Sequence, residues 1–146
     1  DTFGGQHLVT GTYTELAGRG ATGPSLKAAP TGMGHGIEVT RNNASILIDS
    51  TISNGNSHDG YYLEASSSIL SDSRGSNNGL ALAPGRRSGV SSPSGRLLLT
   101  GGVYSSTGGN RSQLYGVSIA DPDKFNMHGA DLSGNASGPI QILNEP

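Results

Sequence analysis

The run Ile46-Leu47-Ile48-Asp49-Ser50-Thr51-Ile52-Ser53-Asn54-Gly55-Asn56-Ser57-His58-Asp59-Gly60-Tyr61-Tyr62-Leu63 holds two short apolar stretches separated by a bend and a dense turn cluster. Ile46 to Asp49 reads as one strand, Ser50 to Ser53 bends into another, and Asn54 to Asp59 has turn chemistry throughout. Gly60-Tyr61-Tyr62-Leu63 then runs glycine, apolar, variable, apolar, the period-two signature of a strand with one buried face.

The same elements recur on both sides. The glycine pattern returns at Gly36-Ile37-Glu38-Val39, Gly79-Leu80-Ala81-Leu82, Gly116-Val117-Ser118-Ile119 and, imperfectly, Gly138-Pro139-Ile140-Gln141-Ile142. A short strand precedes each: Leu8-Val9-Thr10, Ile69-Leu70-Ser71-Asp72, Leu97-Leu98-Leu99-Thr100 and Phe125-Asn126-Met127-His128. Ile46 to Ile69 is 23 residues, Ile37 to Tyr61 is 24 and Val117 to Ile140 is 23. A unit this short cannot bury the faces of its strands alone, so neighbouring copies must stack into a continuous core. With strands only and no amphipathic helical stretch, the economical architecture is all-β: a right-handed parallel β-helix, or solenoid, of about five coils forming a single domain over residues 1–146. Stacked turn asparagines can ladder along the axis of such a fold.

Composition agrees. Apolar residues are 32% and aromatics 5%, low for a two-layer globule, while 24 glycines suit a fold with a tight turn at every corner. A net charge of −2 gives no bulk attraction to nucleic acid or an anionic membrane. The absence of cysteine excludes a disulfide framework and a Cys-based zinc site, and no apolar run is long enough for a membrane-spanning helix. Asp1, with neither an initiator Met nor a leader before the first strand, reads as a piece of a longer chain. Long loops are expected at about 15–33, 83–96 and 105–115, and solenoid insertions of this kind fall on one face, often the binding face.

The coils from Asn43-Ala44-Ser45-Ile46-Leu47-Ile48-Asp49 through Gly60-Tyr61-Tyr62-Leu63 to Asn77-Asn78-Gly79-Leu80-Ala81-Leu82 resemble the pectate-lyase-like β-helix superfamily. The closing run from Tyr115-Gly116-Val117-Ser118-Ile119 to Ile140 does so too. That superfamily includes polysaccharide lyases, polygalacturonases, alginate epimerases and phage tailspike depolymerases. The resemblance implies a polysaccharide ligand lying along the sheet of the glycine copies, and an extracellular or virion-surface setting. Gly34-His35-Gly36 matches a short polygalacturonase motif, but the paired aspartates and the Arg-x-Lys that should accompany it are missing, as is the epimerase Asp-Pro-His-Glu.

With the apolar members of each glycine copy inward, the outward ladder is Glu38, Tyr62, Ala81, Ser118 and Gln141, with Glu64 beside it. Glu38, Glu64 and His35 are the candidate catalytic groups, since paired carboxylates serve glycoside cleavage and an acid and base can flank a uronate proton. Tyr62, Asp59, His58, Ser118, Arg86, Arg87 and Arg111 are the candidate substrate-binding groups, Tyr62 as a sugar platform and the arginines as clamps on an acidic sugar. The plainer readings are solvated outer rungs for the glutamates, surface cover for Tyr62, a backbone-bonded turn residue for His35 and solvated charges for the arginines. Asp49 and Asp72 look like equivalent corners that could share Ca²⁺, though aspartates so placed more often satisfy turn amides; no other cofactor is expected. Three functions follow: polysaccharide recognition within a tailspike-type depolymerase or adhesin, catalysis by a secreted lyase, hydrolase or uronate epimerase, and structural stacking in a fibre. The last would make the chain a homotrimer or a segment docked on the rest of its parent chain.

Overall fold

The computed structural model describes residues 5–10, 13–15, 34–40, 44–80, 87–106 and 112–143. Its strands, in chain order, are β1 (Gly5–Thr10), β2 (Tyr13–Glu15), β3 (Ile37–Val39), β4 (Ala44–Asp49), β5 (Ile52–Asn54), β6 (Tyr61–Leu63), β7 (Ser67–Ser71), β8 (Ser88–Ser92), β9 (Arg96–Thr100), β10 (Tyr115–Ile119), β11 (Phe125–His128) and β12 (Gly138–Ile142). The one helical element among the described residues is a 3-10 turn, Pro122–Lys124. All strand pairs are parallel, and the chain is a β-solenoid.

Two walls have five rungs each: the first runs β1-β4-β7-β9-β11 and the third runs β3-β6-β8-β10-β12. Between them a second wall has strands only in its first two rungs, β2 and β5, and continues as single bridges from Ile52 to Arg74, Val103 and Asp131. The expected five coils are thus not all complete: the first and third walls have five rungs, while the second is strand only at one end.

Alternation sets the core. Ile46, Ile48, Leu70, Leu97 and Leu99 from the first wall meet Val39, Tyr61, Leu63, Val90, Val117 and Ile119 from the third. The corners after β4, β7, β9 and β11 each hold a left-handed residue, Ser50, Asp72, Gly101 and Gly129 in turn. At the corner entering the third wall, Asn56, Asn78, Gln113 and Asn135 form an axial ladder. Asn56 Nδ2 donates to Asn78 Oδ1 (2.9 Å), Asn78 Nδ2 to Gln113 Oε1 (3.3 Å) and Gln113 Nε2 to Asn135 Oδ1 (2.8 Å). The ladder satisfies buried turn amides that no strand can reach: Asn56 N–H and Asn78 N–H each donate to the amide oxygen one coil on. Asn135, part of an Asn-Ala-Ser sequence, is committed to this ladder and donates to Leu132 O (2.7 Å).

Three sequence expectations are corrected. The third rung of the third wall is β8, within the expected 83–96 insertion, and not Gly79-Leu80-Ala81-Leu82. Gly79 sits in a turn at φ +78°, Leu80 is its half-buried neighbour, and Ala81 and Leu82 lie outside the described residues. Val90 pairs with Tyr61 and Val117 and is fully buried, so Gly89 is the true counterpart of Gly60 and Gly116. Variable connections therefore all fall before the third-wall strands, and the turn after them is short, as in Leu63 to Ser67 and Ser92 to Arg96. Next, Ile69 pairs with Leu47 and not with Ile46. That one-residue slip turns Ile69 outward and leaves Leu70 in the core. Finally, Asp49 pairs with Ser71, and Asp72 occupies the left-handed corner that Ser50 fills one coil earlier, so Asp49 and Asp72 are not equivalent.

Candidate functional site

The expected residues converge at the first two rungs of the third wall. β3 and β6 pair Glu38 with Tyr62, and the segment entering β3 is stitched to the one entering β6: His58 N–H donates to Gly34 O (3.0 Å) and Gly36 N–H to Asp59 O (3.2 Å). This close approach explains Gly34, where a Cβ would meet Ser57 Cβ at 2.8 Å. It also sets His35 beside Asp59, with Nδ1 3.4 Å from Oδ2 and both side chains almost wholly buried.

His35 is enclosed by rings. Tyr62 stacks on it at 4.6 Å between centroids and 19° between planes, and His58 lies at 5.2 Å, tilted by 59°. The Tyr62 hydroxyl donates to Glu64 Oε1 at 2.6 Å. One ring is thereby fixed at both ends, by a histidine under its face and a carboxylate at its tip. Glu38, Tyr62, Glu64 and His58 are each half-buried, so the buried pair lies beneath a partly open surface. Asp59 does a second job, since its Oδ1 accepts the Ser88 N–H (2.7 Å) and so ties this coil to the next.

The wall does not stay open below. The register continues Glu38, Tyr62, Ser91, Ser118, Gln141, which puts Ser91 in the place expected for Ala81. Ser91 and Ser118 are buried, contrary to the expectation that this row faces solvent from end to end. Ser118 Oγ bonds Ser88 Oγ (2.5 Å) and donates to Gln141 Oε1 (2.9 Å), so it serves the fold. Arg87 Nε donates to Ser112 O (2.7 Å), which aims its side chain toward a later coil, away from the His35 cluster. Arg86 and Arg111 lie outside the described residues.

Among the described residues no group of three or more His, Asp or Glu side chains is arranged to hold a metal ion. Asp49 accepts from the neighbouring Ser50 hydroxyl (3.1 Å) and has no aspartate opposite it. A cavity of about 700 Å³ lies elsewhere, between Ser92, Ile119, Lys124 and Ile142 at the corner joining the third wall to the first. Nor is any helix long and apolar enough to cross a membrane among the described residues.

Sequence reasoning missed two features of this region. Gln113 as a rung of the amide ladder was hidden because its neighbours in the ladder are asparagines at irregular spacings of 22 and 35 residues. The tie from Ser88 to Asp59 has no sequence signal, because Ser88 falls within the loop expected at 83–96. No family model matches the sequence, and no curated protein or solved structure matches the chain.

Proposed function

We propose that this solenoid recognises a polysaccharide, in the manner of a tailspike-type depolymerase or adhesin, at the Glu38, Tyr62 and Glu64 end of its third wall. The reading rests on one observation: Tyr62 is held between the His35 ring and the Glu64 carboxylate on a half-open surface. A preset aromatic ring offers a sugar its apolar face, and adjacent carboxylates accept sugar hydroxyls, so little ordering is left to do on binding. The resemblance to the pectate-lyase-like superfamily supports the same ligand class. The burial of Ser91 and Ser118 limits the contact to the first coils, a footprint of a few sugar units.

The test is binding to an array of neutral and acidic oligosaccharides, followed by calorimetry on any hit. Tyr62→Ala should weaken binding at least ten-fold in a chain that still shows a cooperative melting transition, lowered by the loss of the ring over His35. Binding to none of the glycans, or equal binding by Tyr62→Ala, would overturn the proposal.

Catalysis is the second reading, favoured by the buried His35–Asp59 pair lying under Tyr62, which pairs with Glu38 and bonds Glu64. An imidazole held by a carboxylate can move a proton, and two half-exposed carboxylates can act as acid and base. Release of unsaturated or reducing ends from a bound polysaccharide would support it. Full activity in both Glu38→Gln and Glu64→Gln would remove those roles.

A further inference from the structure

The outer face of the first wall carries a feature unrelated to the His35 cluster. Leu47 and Ile69, paired in register, are 39% and 37% exposed, and Leu98 continues the column half-buried on the next strand. Leu8 occupies the same register position on β1. Serines flank the column, Ser45 and Ser67 on one side and Ser71 on the other. Apolar side chains stacked on three successive rungs of an outward face, before Asn126 ends the column on β11, are not what solubility asks of a strand.

Asp49 and Arg96 stand at opposite ends of this column, with Asp123 and Lys124 lining the groove beside Arg96 and Lys124 itself paired to Asp121, and the placement of the first two selects an occupant. Asp49 lies two residues beyond Leu47 on β4, and Arg96 lies two residues before Leu98 on β9. They sit at diagonal corners with Ile69 midway. Within one molecule they are about 16 Å apart from strand rise and spacing, too far to pair through solvent. Two copies placed face to face about a two-fold axis that passes over Ile69 between the two faces, parallel to the sheets and perpendicular to that diagonal, bring Arg96 of each onto Asp49 of the other. An axis along the strands would set Arg96 against Ser45, and one along the solenoid would set it against Thr100. In the diagonal arrangement strands cross at about 70°, close to orthogonal sheet packing.

We infer that the outer face of the first wall is a self-association surface that pairs two copies of this chain, with Leu47, Ile69 and Leu98 at its centre and two reciprocal Asp49–Arg96 contacts at its rim. The contact is isologous, as closed dimers require. With only three apolar side chains at its centre, two of them little more than a third exposed, the contact makes a weak dimer that forms with rising concentration.

Sedimentation velocity on the whole chain, from about 10 µM to about 1 mM, tests it. The expected result is a monomer–dimer equilibrium that Ile69→Ser weakens at least ten-fold without changing the melting transition, because that side chain is outside the core. Asp49→Arg and Arg96→Asp, each of which opposes like charges across the axis, should each weaken the dimer several-fold. The double variant Asp49→Arg/Arg96→Asp restores the pairing and should recover most of the loss. A monomer at every concentration, a trimer, or a dimer that the single charge changes leave alone would overturn the proposal. A double variant as weak as the singles would overturn the reciprocal pairing.

Discussion

The first and third walls are wound by the same chain and have the same number of rungs, yet they are built by different physics. In the first wall, aliphatic side chains fill the interior and the strands carry no glycine between their inward residues. Its cohesion is packing. In the third wall, glycines precede the inward residue on successive rungs, and backbones approach where a side chain would stand. Serine hydroxyls, an amide ladder and the Asp59 carboxylate then satisfy the polar groups that this approach buries. The wall that tolerates loops of any length before its strands is the one held by specific hydrogen bonds, and it carries the His35 cluster. A side-chain wall adapts to small changes, whereas a backbone-contact wall does not.

The sharpest way to break the comparison is to add a single methyl to each wall. A Cβ at Gly89 would stand 2.6 Å from Gly75 O and 2.8 Å from Gly116 O, both backbone atoms that cannot rotate away. Gly89→Ala should therefore cost roughly 3–5 kcal/mol, read as a fall in the urea midpoint or as failure to fold. Its control is Gly129→Ala at the first-wall corner, where φ is +72° and nothing lies within 4 Å. Only backbone strain remains there, about 1 kcal/mol. Equal losses at the two positions would mean that close approach is not what distinguishes the third wall.

Removing one rung of the amide ladder should come next in size. Asn78 accepts from both Asn56 N–H and Asn56 Nδ2, and donates to Ser53 O and Gln113 Oε1. Asn78→Ala strands buried donors and acceptors in two coils at once, at a cost of roughly 2–4 kcal/mol. Asn78→Asp keeps the acceptor but loses the donor and buries a charge, so it should be at least as damaging. Hydrogen exchange should show the loss first at the Asn56 amide.

These contrasts explain what could be read in advance. The winding was legible because Ile46/Ile48, Tyr61/Leu63, Val117/Ile119 and Leu97/Leu99 alternate at phased positions, and phase is what a solenoid imposes on sequence. The rung at Ser88-Gly89-Val90-Ser91-Ser92 was not, since its single aliphatic residue leaves no alternation to detect and its serines read as turn. The slip at Ile69 has a similar origin: Ser68, a small polar residue, holds the buried position that an aliphatic residue would have announced. Glu38 opposite Tyr62, and Glu64 two residues further on the same face, followed from strand geometry alone. The His35–Asp59 contact did not, because turn conformation decides which way those side chains meet and composition does not encode it.

The smallest expected effect is a test within the core, where the third wall meets the end of the second at a pair of tyrosines. Tyr61, on β6, and Tyr104, beyond the second wall, meet edge to face at 6.4 Å. The Tyr61 hydroxyl is bonded to Thr51 Oγ1 (2.7 Å) and donates to Arg74 O (3.0 Å), while the Tyr104 hydroxyl is buried with no hydrogen-bond partner among the described residues. Tyr61→Phe should cost about 1–2 kcal/mol, whereas Tyr104→Phe should be neutral or stabilise by up to about 1 kcal/mol, since it removes a buried hydroxyl that gains nothing. The two also bear on pH. Burial pushes the Tyr61 phenol from 10.0 up to about 12, and burial pushes Tyr104 up as well. Above pH 10 the unfolded chain sheds these protons while the folded chain keeps them, so stability is whole below pH 10 and falls as pH rises toward 12. Each phenylalanine variant should flatten that alkaline decline in chemical denaturation, and the double variant should flatten it most. If the decline is the same in all three variants as in the natural chain, the phenols are not what titrates, and the polar satisfaction assigned to the third wall loses its nearest support in the core.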